Sequence, residues 1–166
     1  VRGRYAQAYE YGCLALAVNE RFDDAGRRAK IYQQFHAHVN FWCRPFATCA
    51  AYAREACRSG LDSGDFLYAA YGVGTEPWSA MIATQDLAQF ARDYEPSIAL
   101  IERLKNRGFA DSVRVLVNWS LALQGRTDGP LSLSDASLDE AAYLATYGDS
   151  PFFTTIHAIA RLQLCC

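Results

Sequence analysis

The stretch "AREACRSGLDSGDFLYAAY", Ala53–Tyr71, decides the fold that this sequence predicts. A run with helical spacing of apolar residues comes first, and a second such run follows it. Between them, Ser63, Gly64 and Asp65 form a strong turn signal. Large and small residues alternate along both runs, which lets two helices approach closely. The stretch therefore predicts an antiparallel hairpin of two helices.

The hairpin pattern recurs along the chain. Sliding the sequence by 41 residues superposes a first copy on the second, with these matches: Tyr5 on Phe46, Ala8 on Cys49, Gly12 on Ala53, Ala15 on Ala56, Asp24 on Asp65 and Ala29 on Ala70. A slide of 43 carries Ala56 to Ala99, Leu61 to Leu104 and Phe66 to Phe109. A period of roughly 40 residues, each a helix, a turn and a helix, is typical of an α-solenoid. We predict an all-α fold, an α-solenoid of antiparallel helix hairpins (a tetratricopeptide-like superhelix) with about eight helices.

The predicted organisation is a single helical-repeat domain over residues 1–166. Its repeats are 3–43, 45–84 and 86–125, followed by a loop, 126–136, and a terminal helix pair, 137–166. The helix predicted for 65–84 has a break or kink at Pro77, since proline removes a helical N–H. Ser137 is predicted to cap the helix of 137–147, with Glu140 at the matching capping-box position.

Composition places the chain among folded proteins and excludes some functions. Hydrophobic residues make up 51% and charged residues 20% of the 166 residues. The net charge of -2 gives no electrostatic reason to bind nucleic acid or an anionic membrane. No apolar run approaches the roughly 20 residues that span a bilayer, so we expect no membrane insertion.

The six cysteines lie where a disulfide framework is not expected. Cys13, Cys43, Cys49 and Cys57 fall inside long periodic segments that can build a core without cross-links. We predict that they are reduced core residues in a cytoplasmic protein. The chain begins at Val1 without methionine and stops within a helical pattern, so we expect a fragment of a longer protein.

The segment "HAHVNFWCRP", residues 36–45, has the residue types of a metal or catalytic site. Positions two apart on a helix point about 200° apart, so His36 and His38 cannot share a metal ion. By the same geometry His38 falls with Phe35 and Trp42 on the apolar face, and His36 falls on the opposite side. We predict no metal site here, and His38 as a core or groove-lining residue.

No other motif predicts catalysis or a cofactor. The chain has no G-x-S-x-G nucleophile elbow and no G-K-[ST] phosphate loop, and "YGVGTEP", Tyr71–Pro77, is interpreted as a helix kink. We expect no catalytic residue, no metal and no cofactor. Aromatic residues often line partner grooves in helical repeats. The candidate groove, ligand or partner contacts are Tyr32, His38, Trp42, Tyr71 and Trp78.

The segment Ala15–Tyr71 resembles the helical region of very large multidomain signalling ATPases and hybrid sensor kinases. The likeness is carried by "VNFW", Val39–Trp42, by "AREACRSGLDSGDFLYAAY", and by "SLSDASLDEAAYL", Ser132–Leu144. In that family the region lies between kinase-like and AAA-type ATPase modules and a sensor followed by a histidine-kinase output. The resemblance implies a region without active-site residues, whose kinase and ATPase chemistry belongs to other domains.

Two functions remain open from the sequence. The first is a scaffold that binds a protein partner or neighbouring domains of the parent chain and relays signals between them. The alternative is a small-molecule-binding sensory module with a pocket lined by His38, Trp42 and Trp78. An independent enzyme is not expected.

Overall fold

The computed structural model describes residues 3–165, and this part of the chain is all helical, with no strand. It contains eight α-helices and two short 3₁₀ turns. The helices are α1 (Tyr5–Phe22), α2 (Ala25–His38), α3 (Cys49–Ser63), α4 (Phe66–Ala83), α5 (Leu87–Arg103), α6 (Arg107–Leu123), α7 (Glu140–Tyr147) and α8 (Pro151–Leu164). The 3₁₀ turns are Asn40–Trp42 and Phe46–Thr48. The all-α class and the number of helices are confirmed, and the superhelical stacking stays a prediction.

Helix-capping residues recur at the same position in each copy of the sequence repeat. The second helix of each predicted hairpin starts after a side chain that accepts a hydrogen bond from a backbone N–H of the first turn. These caps are Asp24 (3.2 Å to Arg27 N), Asp65 (3.3 Å to Tyr68 N) and Asn106 (3.4 Å to Phe109 N). They stand 41 residues apart, which confirms that the turns recur with the hairpins.

The chain forms two compact units, of which the first ends at Ala83 and the second begins at Thr84. In the first unit, α2 packs against α3 and α4 on one side and against α1 on another. In the second unit, α5 and α6 form a hairpin, α8 packs against α6, and α7 contacts α8.

Small residues bring α3 and α4 into close contact. A Cβ added to Gly72 would lie 2.9 Å from the backbone N of Cys57, and one added to Gly60 would lie 2.8 Å from the backbone N of Ala69. Both distances are shorter than real Cβ atoms allow. The predicted close approach of the hairpin helices is therefore built from glycine and alanine.

Of the two alternatives predicted at Pro77, a break is wrong and a kink stays a prediction. Helix α4 continues through Pro77 from Phe66 to Ala83, and the proline itself is buried. A proline inside a helix removes one hydrogen bond. Packing of the neighbouring buried residues, Gly74 and Met81 among them, keeps the helix continuous despite that loss.

The predicted capping box at Ser137 is also wrong. Helix α7 begins at Glu140, and its cap is Asp139, whose carboxylate accepts from Ala141 N at 2.9 Å and from Ala142 N at 3.0 Å. The Ser137 hydroxyl donates to Asp135 Oδ1 at 2.8 Å instead. A carboxylate one residue before the helix takes the cap because its oxygen reaches two free N–H groups at once.

Within the described residues, no helix is both long enough and apolar enough to span a membrane. The five described cysteines are unpaired. Of the four predicted to be core residues, Cys49 is fully buried, whereas Cys13, Cys43 and Cys57 are only partly buried.

Candidate functional site

The structure reverses the predicted roles of the two histidines in α2. His36 is fully buried, whereas His38, the last residue of the helix, is exposed. The two side chains do point to different sides of the helix, as the geometry predicts. The assignment of His38 to the core is wrong, because the side of α2 that α3 and α4 cover is not its most apolar side.

The covered side of α2 is a stripe of mostly polar residues. Ala29, Gln33, His36 and Asn40 follow one another at steps of four, three and four, and all are buried. Buried polar groups need partners. Gln33 Oε1 accepts from Gln34 at 2.7 Å, and Asn40 donates to Thr48 Oγ1 at 2.7 Å. Gln33 is thus satisfied within α2, and Asn40, in the 3₁₀ turn that follows α2, joins the end of the stripe to the turn before α3.

The ring of His36 is held by α4. Thr75 Oγ1 donates to the Tyr71 carbonyl at 2.6 Å and lies 3.2 Å from His36 Nε2. Because the threonine hydroxyl proton is already used, we assign the ring proton to Nε2, which donates to Thr75. Nδ1 then has no hydrogen-bond partner among the described residues. Burial, with a smaller contribution from His38, lowers the pKa of His36 to about 4.

The other predicted contact residues lie at separate places in the first unit. Trp42 is 53% exposed and stacks on Tyr5 of α1, with ring centroids 4.7 Å apart. Tyr32 donates to Glu20 Oε1 at 3.0 Å; burial and this hydrogen bond raise its pKa to about 12.

In α4, the ring of Tyr71 meets Tyr68 edge-on at 5.6 Å, and Trp78 lies two turns further along, partly buried. None of the five predicted residues, including His38, Tyr32 and Trp42, lines either of the two larger cavities described below.

An apolar surface that the sequence reasoning missed lies on α1. Tyr11, Leu14, Val18 and Phe22 are 64%, 57%, 46% and 72% exposed and follow one another at steps of three, four and four. They form one continuous side of the helix, which we call the α1 stripe. The opposite side of α1, with Leu16, is buried. In the sequence, α1 has apolar residues on two of its faces. A single neighbouring helix can cover only one of these faces, so the other is expected to be exposed.

A groove between α1 and α2 adjoins the α1 stripe. It encloses about 510 Å³, and its walls are almost entirely apolar. Small residues of α1 form one wall, and larger residues of α2 form the other; the lining residues include Ala8, Gly12, Ala15, Ile31, Phe35 and Val39. Tyr11 belongs both to the α1 stripe and to the groove, so the two features form one apolar surface.

The second unit has a cavity of different character. It encloses about 600 Å³ between α5, α6 and the loop that follows α6. Its lining includes Arg92, Glu95, Arg114, Arg126 and Asp135 together with apolar residues. This is within the size range of small-molecule pockets.

Some charges of this cavity are already neutralised. The Arg114 guanidinium pairs with Glu102 and Asp111. Arg92 and Arg126 have no ion-pair partner in the described part of the chain, and Arg92 donates only to the neutral Gln89 at 2.8 Å. Glu95 and Asp135 of the same lining have no ion-pair partner in this part of the chain either, so the cavity carries free charges of both signs, and Arg92 and Arg126 are its groups that can bind an anion.

A third polar cluster is structural. Glu140 accepts from the backbone N of Leu133 at 3.2 Å, lies 2.7 Å from His157 Nε2, and pairs with Arg161 at 3.4 Å. These contacts tie the loop before α7 to α8. Among the residues that the structure describes, no group of three histidine, cysteine or acidic side chains is placed to hold a metal ion.

Comparison with known proteins gives no relative: no family model, curated protein or solved structure matches this chain.

Proposed function

We propose that this chain is a non-catalytic helical-repeat scaffold that mediates protein–protein or interdomain contacts. The motif resemblance supports a place within a large cytoplasmic signal-transduction ATPase or kinase, where the scaffold relays signals between neighbouring domains. The single observation that carries the proposal is the α1 stripe. A row of four large apolar side chains, each about half exposed or more, is typical of a protein interaction surface.

The packing of α1 explains why this surface suits a partner. Leu16, on the other side of the helix, is buried, so α1 packs through that side and presents the α1 stripe to solvent. The adjoining groove of about 510 Å³ offers a recess for apolar side chains of a partner. Burial of such residues at the centre of an interface supplies most of the affinity in many complexes.

Affinity capture with the purified chain tests the proposal. The immobilised chain is offered the domains that flank it in the parent protein and, separately, a cell extract. We expect binding that Leu14→Glu abolishes, because the new carboxylate would be buried against apolar atoms. Leu162→Glu, at a 65% exposed position of α8, is the matched control and retains binding. Failure to bind either source, or binding that Leu14→Glu leaves intact, contradicts the proposal.

A second candidate function, a small-molecule-binding sensory module, is favoured by the cavity of the second unit. Its unpaired arginines, Arg92 and Arg126, favour a carboxylate or phosphate ligand. A thermal-shift screen of anionic metabolites tests this candidate. We expect stabilisation by one member and its loss in Arg126→Ala, and a screen without any shift contradicts it.

A further inference from the structure

We propose that the α1 stripe pairs with the α1 stripe of a second copy of this chain, the two helices running antiparallel about a two-fold axis. The inference rests on the proposed function, since it names the partner that the same surface takes. Charged side chains flank the α1 stripe. Only in this orientation does an acidic side chain beside the stripe of one copy lie next to a basic side chain beside the stripe of the other.

The positions of these charges follow from helix geometry. At about 100° per residue, the α1 stripe spans about 80° of the helix surface, from Leu14 at one edge to Phe22 at the other. Glu10 and Arg21 both lie within about 40° beyond the Leu14 edge. Both side chains are exposed, and neither has an ion-pair partner among the described residues. The Arg21 guanidinium lies over the ring of Phe22, 5.9 Å from its centroid.

A two-fold axis through the middle of the α1 stripe brings these two charges together. Tyr11 of one copy then opposes Phe22 of the other. The flank that carries Glu10 and Arg21 faces the same flank of the second copy, as it does in every antiparallel helix pair with this symmetry. Glu10 of one copy lies about 3 Å along the axis from Arg21 of the other, and the symmetry makes the pair twice. A parallel arrangement would instead place the flanks with Glu10 and Arg21 on opposite sides of the interface, where neither residue faces a charge of the other copy's flank.

The other edge of the α1 stripe completes the interface. Beyond Phe22 lie Ala8, Gly12 and Ala15, which form the low wall of the groove between α1 and α2. In this dimer the Phe22 ring of the second copy lies beside Tyr11, which lines that groove. An apolar centre, a recess for a large ring and two peripheral ion pairs together make a self-complementary surface.

Sedimentation velocity of the purified chain over a concentration series tests the pairing. We expect a reversible monomer–dimer equilibrium that Leu14→Glu and Val18→Glu each weaken at least tenfold, since both place a charge in the apolar centre. Both positions are exposed, so far-UV circular dichroism should show an unchanged fold. The matched control Leu162→Glu should dimerise like the unaltered chain.

Charge exchange tests the orientation. Glu10→Arg or Arg21→Glu alone should weaken an antiparallel dimer about three- to tenfold, because each variant turns both ion pairs into like-charge pairs. The double variant should recover the original affinity to within about twofold. A parallel dimer would not be weakened by either single change, so that result overturns the proposed orientation.

Two results overturn the homodimer itself: a chain that stays monomeric at every concentration, or a dimer that survives Leu14→Glu. Neither result decides the proposed function. If the chain is monomeric but Leu14→Glu still abolishes capture of a flanking domain, the scaffold function stands and another protein occupies the α1 stripe.

Discussion

The buried ring of His36 makes the stability of the first unit depend on pH. Its neutral form donates through Nε2 to Thr75, and the only site for a second proton is Nδ1, which is buried and has no hydrogen-bond partner among the described residues. Protonation in the folded chain would create a buried charge with an unsatisfied N–H. Acid therefore favours the unfolded chain, in which water solvates the imidazolium.

The size of the effect follows from the two pKa values of His36. Its pKa is about 4 in the folded chain and 6.5 when unperturbed. The unfolded state therefore binds more protons between these values, and the free energy of unfolding falls as pH falls through this window. At about 1.4 kcal/mol for each pKa unit, His36 alone should remove about 3 kcal/mol between pH 7 and pH 4. Above pH 7 its contribution is fully present.

Urea denaturation at a series of pH values, followed by far-UV circular dichroism, measures this loss. His36→Gln removes the titrating group, so its free energy of unfolding should fall less steeply between pH 6.5 and 4, by about 3 kcal/mol in total. His38→Gln, at an exposed position two residues away, removes only the smaller contribution to the lowered pKa of His36 and should keep most of the slope of the unaltered chain. Equal slopes for the unaltered chain and His36→Gln would refute the reasoning.

Two further predictions concern packing and capping. Gly72→Ala should lower the free energy of unfolding, measured by urea denaturation, by about 1–3 kcal/mol, because the new Cβ would lie 2.9 Å from the backbone N of Cys57. Gly129→Ala is the control: its Cβ would lie 3.9 Å from the nearest atom, so the stability should change little. Asp139→Ala should cost about 1 kcal/mol by removing the cap of α7, seen as faster hydrogen exchange of its first turn, whereas Ser137→Ala should leave those amides unchanged. Equal exchange in the two variants would restore the capping role predicted for Ser137.

Features that depend on near neighbours in the chain could be predicted from the sequence. The all-α class, the eight helices and the caps at Asp24 and Asp65 each follow from residues within one or two turns of one another. The recurring hairpin follows from the same signals repeated every 41 residues. These features are local, so propensity, periodicity and turn residues suffice to specify them.

The candidate site could be predicted only in part. Aromatic side chains in a groove were expected to contact a ligand or partner, but two of the residues named for it, Trp42 and Tyr32, make intramolecular contacts with Tyr5 and Glu20. The α1 stripe was missed because exposure of an apolar side chain depends on which neighbours the fold supplies, and periodicity does not contain that information.

The sequence by itself determined how many helices form and roughly where they lie, because short-range hydrogen bonds and turn geometry decide both; the start of α7, predicted at Ser137, is the exception. Only the tertiary structure decided which side of each helix is covered. In α2, residues distant in the chain cover the polar stripe, such as Thr75, which is 39 residues from His36 and binds its ring. In α1, one apolar side meets the core and the other remains exposed, because a helix has more sides than its neighbours in this unit cover.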